Sequence, residues 1–176
     1  MRKLCLLFLL IGTYCYAGEK KYTVDSPDGK IQLAIIQTDA GELTYQLSVK
    51  RKQVIDASAL GFKTEDGLTF PFRGWKMGKV TRNKVNSVWK PLWGKRAVVP
   101  DKYNEMKLSF VNEAKSSDAL EVVARAYNEG VAFRYVSPQD AGSALELTTF
   151  NFAGDYTAWF YNGERHNIGP ERLTET

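Results

Sequence analysis

The sequence predicts an all-β protein folded as an antiparallel sandwich, and three observations predict it. Apolar residues recur with a period of two rather than 3.6 along most of the chain. Turn residues punctuate that pattern at short intervals, which marks seven or more short strands. The strands are not interleaved with helical segments, which argues against a parallel α/β sheet.

Each element follows from its own residues. Ile31, Leu33 and Ile35 recur at period two, and the turn Asp39-Ala40-Gly41 separates them from a second strand. In that strand Leu43, Tyr45, Leu47 and Val49 alternate with Thr44, Gln46, Ser48 and Lys50, one face buried and one wet. Met106, Leu108 and Phe110 alternate with Lys107 and Ser109 in the same way. Residues 120–127 and 131–136 flank Asn128-Glu129-Gly130, a hairpin signal that places Gly130 for a positive φ. Residues 145–152 and 157–161 read as two further strands. Residues 65–102 are less regular, holding Trp75, Trp89 and Trp93 with Pro71, Pro91 and Pro100. A long loop or a ragged pair of strands is expected there.

Composition bounds the function. The 176 residues are 44% hydrophobic and 25% charged, enough for one packed domain and unlike a disordered or low-complexity chain. Residues 1–17 carry a basic start at Arg2 and Lys3, an apolar run too short to span a bilayer, and a small-x-small ending at Ala17. They read as a secretory signal peptide. Its removal leaves 22 cations against 20 acids, a net charge of only +2, and no Lys/Arg cluster points to nucleic acid. No membrane association is expected after cleavage, and the periplasm is the expected compartment. Cys5 and Cys15 both leave with the signal, so the mature domain has no disulfide or thiolate site. His166 is the only histidine, which excludes a centre with two histidine ligands.

The search for chemistry yields few candidates. There is no phosphate-binding glycine loop and no nucleophile elbow, and a Ser-His-Asp arrangement would depend on His166 alone. Asp25, Asp28 and Gly29 resemble part of a calcium loop, but turn chemistry with Pro27 and Gly29 accounts for every residue of that stretch. Any of the 20 acids could pair for glycoside hydrolysis, and sequence does not place them. Trp75, Trp89, Trp93 and Trp159 suit sugar stacking or core filling. Core filling is favoured, because a domain without disulfides needs large buried groups.

A family resemblance adds to this reading. The run from Trp89 to Phe110 contains Trp89-x-Pro91-x-Trp93-Gly94, then Tyr103-Asn104-Glu105, then an alternating strand. It resembles the signature stretch of the N-terminal domain of glycoside hydrolase family 97. Ser26-Pro27-Asp28-Gly29-Lys30, Ser58-Ala59-Leu60-Gly61-Phe62, the stretch from Asn128 to Tyr135, Gly154 to Trp159, and Arg172-Leu173-Thr174-Glu175 are similar in order and spacing.

The resemblance implies a galactose-mutarotase-like antiparallel β-super-sandwich over residues 18–176. It implies an exported α-glucosidase or α-galactosidase whose catalytic carboxylates sit in a (β/α)₈ barrel, so no catalytic residue is assigned here. It further implies active-site calcium held mainly by barrel glutamates, with one glutamate lent by this domain. The matching position is Glu164, with Glu171 a weaker match. The implied partners are an α-glucoside or α-galactoside and an in-frame or associated barrel. The family sandwich has strands beyond Thr176, so the fold is expected to be incomplete at its C-terminal end, as a fragment or a truncation, without hydrolytic activity of its own. A free-standing carbohydrate-binding or scaffolding sandwich is the alternative.

Overall fold

A computed structural model describes residues 19–38, 40–72, 75–112, 119–137, 142–161 and 167–175. The signal segment, Glu164 and His166 lie outside them.

The first sheet is a meander of β1 (Lys20–Asp25), β2 (Ile31–Gln37), β3 (Leu43–Val49) and β4 (Lys52–Ala59), in that spatial order. The predicted pairing of the two alternating segments holds, from Ile31 opposite Val49 to Gln37 opposite Leu43. Gly41 closes their turn with a left-handed backbone, φ 86°, and its N–H donates to Thr38 O at 2.9 Å. The turn between β3 and β4 is unusual. Val49 pairs with Lys52, and the two residues between them, Lys50 and Arg51, have φ of 50° and 67°. That is type I′ geometry without asparagine or glycine.

The second sheet has the order β10 (Val131–Val136), β9 (Ala119–Tyr127), β8 (Val99–Asn112) and β7 (Trp75–Trp89). The hairpin of β9 and β10 forms around Asn128 and Glu129, with Tyr127 N–H donating to Gly130 O at 2.8 Å. Gly130 has no left-handed backbone, contrary to expectation. Its role is to end the turn rather than to supply a positive φ. Of the two alternatives for residues 65–102, the pair of strands is what forms, longer and more regular than expected. Residues 75–89 form one 15-residue strand, paired with β8 from Trp75↔Asn112 to Trp89↔Val99 with a single register shift between Met77 and Val80. Much of β7 is exposed on both faces, so its residues lack the alternation that would reveal a strand.

The two sheets face each other and bury the predicted alternating residues. Leu33, Ile35 and Tyr45 of the first sheet share a core with Met106, Leu108, Phe110, Val122 and Ala124 of the second. A smaller sheet of β11 (Ala144–Glu146), β5 (Phe62–Thr64) and β6 (Thr69–Phe70) closes one end. It carries Phe62 and Phe70, stacked at 5.3 Å, and Phe70 meets Phe110 edge-on at 5.2 Å. Gly61 allows this approach, since a Cβ there would lie 2.5 Å from Phe70 O. The segment after β11 runs along β4, with Thr149 N–H bonding Ala59 O and Ala153 N–H bonding Val54 O. It pairs by backbone as the predicted strand 145–152 would, but only residues 144–146 are regular strand. A last hairpin of β12 (Thr157–Tyr161) and β13 (Asn167–Arg172) precedes a 3₁₀ turn at Leu173–Glu175.

Candidate functional site

The candidate calcium ligand Glu164 lies outside the described residues, on the connection between β12 and β13. The frame that carries it is described. Thr157 pairs with Arg172 and Tyr161 with Asn167, with a register shift at Trp159. Gly169 sits opposite that shift with φ 129°, and a Cβ there would lie 2.6 Å from Ala158 O and 3.0 Å from the Trp159 ring. Asp155 anchors the base of the hairpin. Its carboxylate accepts from Arg172 Nε and from Thr174 N–H, and the bond from Arg172 holds its pKa below the ordinary carboxylate range. Leu173 N–H adds a bond to Tyr156 O at 3.0 Å. Glu171, the weaker candidate, is half-buried on β13 opposite Ala158. Asp155 and Arg172 belong to the matched family segments, yet their pairing was not legible, because it depends on the hairpin register.

Two further family motifs make turns and cross-strand contacts. In Ser26-Pro27-Asp28-Gly29-Lys30, Gly29 N–H donates to Ser26 O, and the Ser26 hydroxyl donates to Asp28 Oδ1 at 2.7 Å. The Lys30 amide donates to the same oxygen, and Lys30 Nζ lies 2.9 Å from Oδ2. Those contacts, the Ser26 hydroxyl foremost, lower the Asp28 pKa to about 2. The turn reading of this stretch therefore holds. Asn128 Oδ1 receives Asp28 N–H at 3.0 Å and ties that turn to the β9–β10 turn.

The triplet Tyr103-Asn104-Glu105 divides its roles by strand alternation. Tyr103 and Glu105 face away from the core and Asn104 faces the first sheet, where it donates to Asp25 O at 2.7 Å. Glu105 is buried and receives Arg125 Nε at 2.8 Å, with Arg125 directly opposite on β9. The same guanidinium covers the Tyr103 ring at 4.3 Å, and Tyr127 packs beside it at 5.0 Å. Sequence reasoning missed Arg125, whose partner became visible only through the β8–β9 register.

Among the described residues, clefts open beside two of the family motifs. One, of about 710 Å³, lies beside Leu43, Phe70, Phe72 and Trp75, with Glu42, Thr44 and Thr69 also in its wall. The other, of about 620 Å³, lies between the β1–β2 turn and the β7–β8 pair, beside Asp25, Arg82, Lys84, Asn104 and Glu105. Both carboxylates in it are engaged, Asp25 with the Gln32 amide and Glu105 with Arg125. Among the described residues no three His, Cys, Asp or Glu side chains converge as a metal group. The expectation that the tryptophans fill the core is corrected for three of the four. Trp75 packs edge-on to Phe72 at 5.1 Å, but Trp89, Trp93 and Trp159 are exposed. They lie on the β7–β8 hairpin and on the β12–β13 hairpin, and no described sheet covers them.

Among the described residues this arrangement defines an all-β domain of two main packed sheets, with structural motifs and exposed aromatic side chains at its edges. The sequence profile described as glycosyl-hydrolase 97 N-terminal matches residues 24–176, and the chain belongs to that family. A retaining alpha-galactosidase of Bacteroides thetaiotaomicron is 23% identical over 99% of this chain and 28% of its own length. A probable retaining alpha-galactosidase of Streptomyces bingchenggensis is 29% identical over 91% of this chain and 26% of its own. The solved structure of a glycoside hydrolase family 97 enzyme from Pseudoalteromonas sp. strain K8, in complex with acarbose, superposes with a TM-score of 0.67. It is 34% identical over 81% of this chain and 22% of that one. A beta-arabinopyranosidase structure gives a TM-score of 0.65 at 27% identity. The chain thus spans about a quarter of the length of the curated relatives it matches.

Proposed function

We propose that residues 18–176 are the non-catalytic N-terminal sandwich of an exported α-glycosidase acting on α-glucosides or α-galactosides. The supporting observation is the family match over residues 24–176, combined with relatives that are about four times longer. In this reading the domain supports a (β/α)₈ catalytic domain, lines one side of its substrate pocket and lends Glu164 to calcium. Residues 1–17 direct export to the periplasm and are removed.

Calcium takes about six to eight oxygens, so one glutamate from this domain is one ligand among several and cannot form a tight site alone. When bound, the ion supplies Lewis-acid polarisation of substrate. The chain's own contribution is positional. Gly169, the Asp155–Arg172 pair and the β12–β13 ladder hold the ends of the connection that carries Glu164.

The test is hydrolysis of aryl α-glucoside and α-galactoside, with and without calcium, by purified residues 18–176 and by the complete gene product. The expected outcome is turnover by the complete product only, with the short protein folded as β by circular dichroism. Calcium-dependent turnover by the short protein would instead require a carboxylate pair within it. In the complete enzyme, Glu164→Gln is expected to weaken calcium binding by about tenfold or more and to lower activity in parallel, with the fold intact. Unchanged calcium affinity removes Glu164 from the site.

A further inference from the structure

The β7–β8 pair outruns its own sheet. The last pair between β8 and β9 is Tyr103↔Tyr127, yet β7 and β8 stay paired through Asn86↔Lys102, Ser87↔Asp101, Val88↔Pro100 and Trp89↔Val99. Four residue pairs therefore extend as a two-stranded ribbon for about 13 Å, with residues 90–98 as its tip. A ribbon with no third strand and no packed face has marginal stability by itself.

The tip concentrates exposed apolar surface. Leu92 is fully exposed, Trp93 is 88% exposed, and Val88, Trp89 and Val98 are exposed beside them. Five exposed apolar side chains within eleven residues of one hairpin mark a contact site. Its chemistry narrows the occupant. From Ser87 to Pro100 there is no acid, and Lys90, Lys95 and Arg96 surround the aromatic pair. Sugar sites combine stacking rings with a few placed hydrogen-bonding groups, whereas here the rings are flanked by Val88, Leu92 and Val98 and no amide or carboxylate side chain. Tip-to-tip pairing of two copies would bring six cations together, which like-charge repulsion opposes.

Resting on the reading of this chain as one domain of a longer glycosidase, we propose that the β7–β8 arm is a docking prong. Its tip seats Leu92, Trp89 and Trp93 in an apolar depression of the catalytic domain, rimmed by carboxylates that receive Lys90, Lys95 and Arg96. Family relatives supply the extra polypeptide this requires, because the chain matches only 22% of the Pseudoalteromonas enzyme.

Limited trypsin digestion tests this, since Lys95 and Arg96 are cleavable while Pro91 protects Lys90. The complete gene product is compared with residues 18–176 alone, and glycosidase activity is measured on the same sample. The expected result is cleavage after Lys95 and Arg96 that is slower by about tenfold or more in the complete, active enzyme. In that enzyme Leu92→Asp with Trp93→Asp restores cleavage at Lys95 and Arg96, while the circular dichroism of the isolated domain stays unchanged. Equal cleavage of the two proteins, in a sample that hydrolyses glycoside, overturns the prong and leaves the glycosidase reading standing. A gene without a barrel overturns both. Protection of the isolated domain that grows with its own concentration identifies a second copy as the occupant and overturns the proposal. Protection of that domain by added maltooligosaccharide identifies sugar and does the same.

Discussion

Asp28 makes a turn of polar residues into a fixed corner, and its behaviour with pH is predictable from its contacts. Its carboxylate pKa is lowered to about 2 by the Ser26 hydroxyl and by Lys30. The unfolded chain has the ordinary carboxylate value of about 3.9. A depressed folded pKa contributes stability above the unfolded value and loses it as pH falls through the folded one. The stability advantage of wild type over Asp28→Asn is therefore expected to be full at pH 7, to decline below about pH 4 and to vanish near pH 2. Urea midpoints of both proteins at pH 7, 4 and 2 measure it, and a gap that does not change with pH rejects the carboxylate as its source. The turn was legible in Ser26, Pro27, Asp28 and Gly29, because turn propensity is local. The tie from Asp28 N–H to Asn128 was not, because it joins positions 100 residues apart.

At the scale of single elements, the β3–β4 turn carries strain that sequence gives no reason to expect. Lys50 and Arg51 both sit in the left-handed region, which favours glycine and asparagine. Arg51→Gly is expected to stabilise the domain by about 1 kcal/mol, a rise in Tm of about 3 °C for a chain of this size. Unchanged or lower Tm in a thermal melt would show that Arg51 makes a compensating interaction. The same scale explains the strand that sequence reading lost. β8 was legible because Met106, Leu108 and Phe110 repeat at period two on its core face, and β2 because Ile31, Leu33 and Ile35 do the same, although Ala34 and Ile36 on its other face are buried too. β7 lacks that repeat because it forms the edge of its sheet and then leaves it.

For the whole molecule, stability depends on one core between the two main sheets, since the described chain has no cysteine. Phe110 is fully buried and meets Phe70 at the junction with the small third sheet. Phe110→Ala is expected to cost about 3–5 kcal/mol, enough to unfold much of a marginal domain. Chemical denaturation checks the value, and a cost below about 1 kcal/mol would mean that the two sheets do not pack through this ring. At this scale the candidate site was legible only by likeness. Glu164 could be named from its place before Arg172 in a family pattern, whereas neither periodicity nor composition separates it from the other acids.

The all-β class, the strands with a period-two apolar face, the turn from Ser26 to Lys30 and the family were legible in the sequence. Each of these depends on residues close together in the chain or on their order along it. The tertiary structure alone decided the pairing of Glu105 with Arg125, the union of Asp155 with Arg172 across the last hairpin, and the exposure of Trp89 and Trp93 on a projecting arm. Those depend on strand register and on where a sheet ends. Both are set by the summed packing of distant residues, so no local stretch of sequence encodes them.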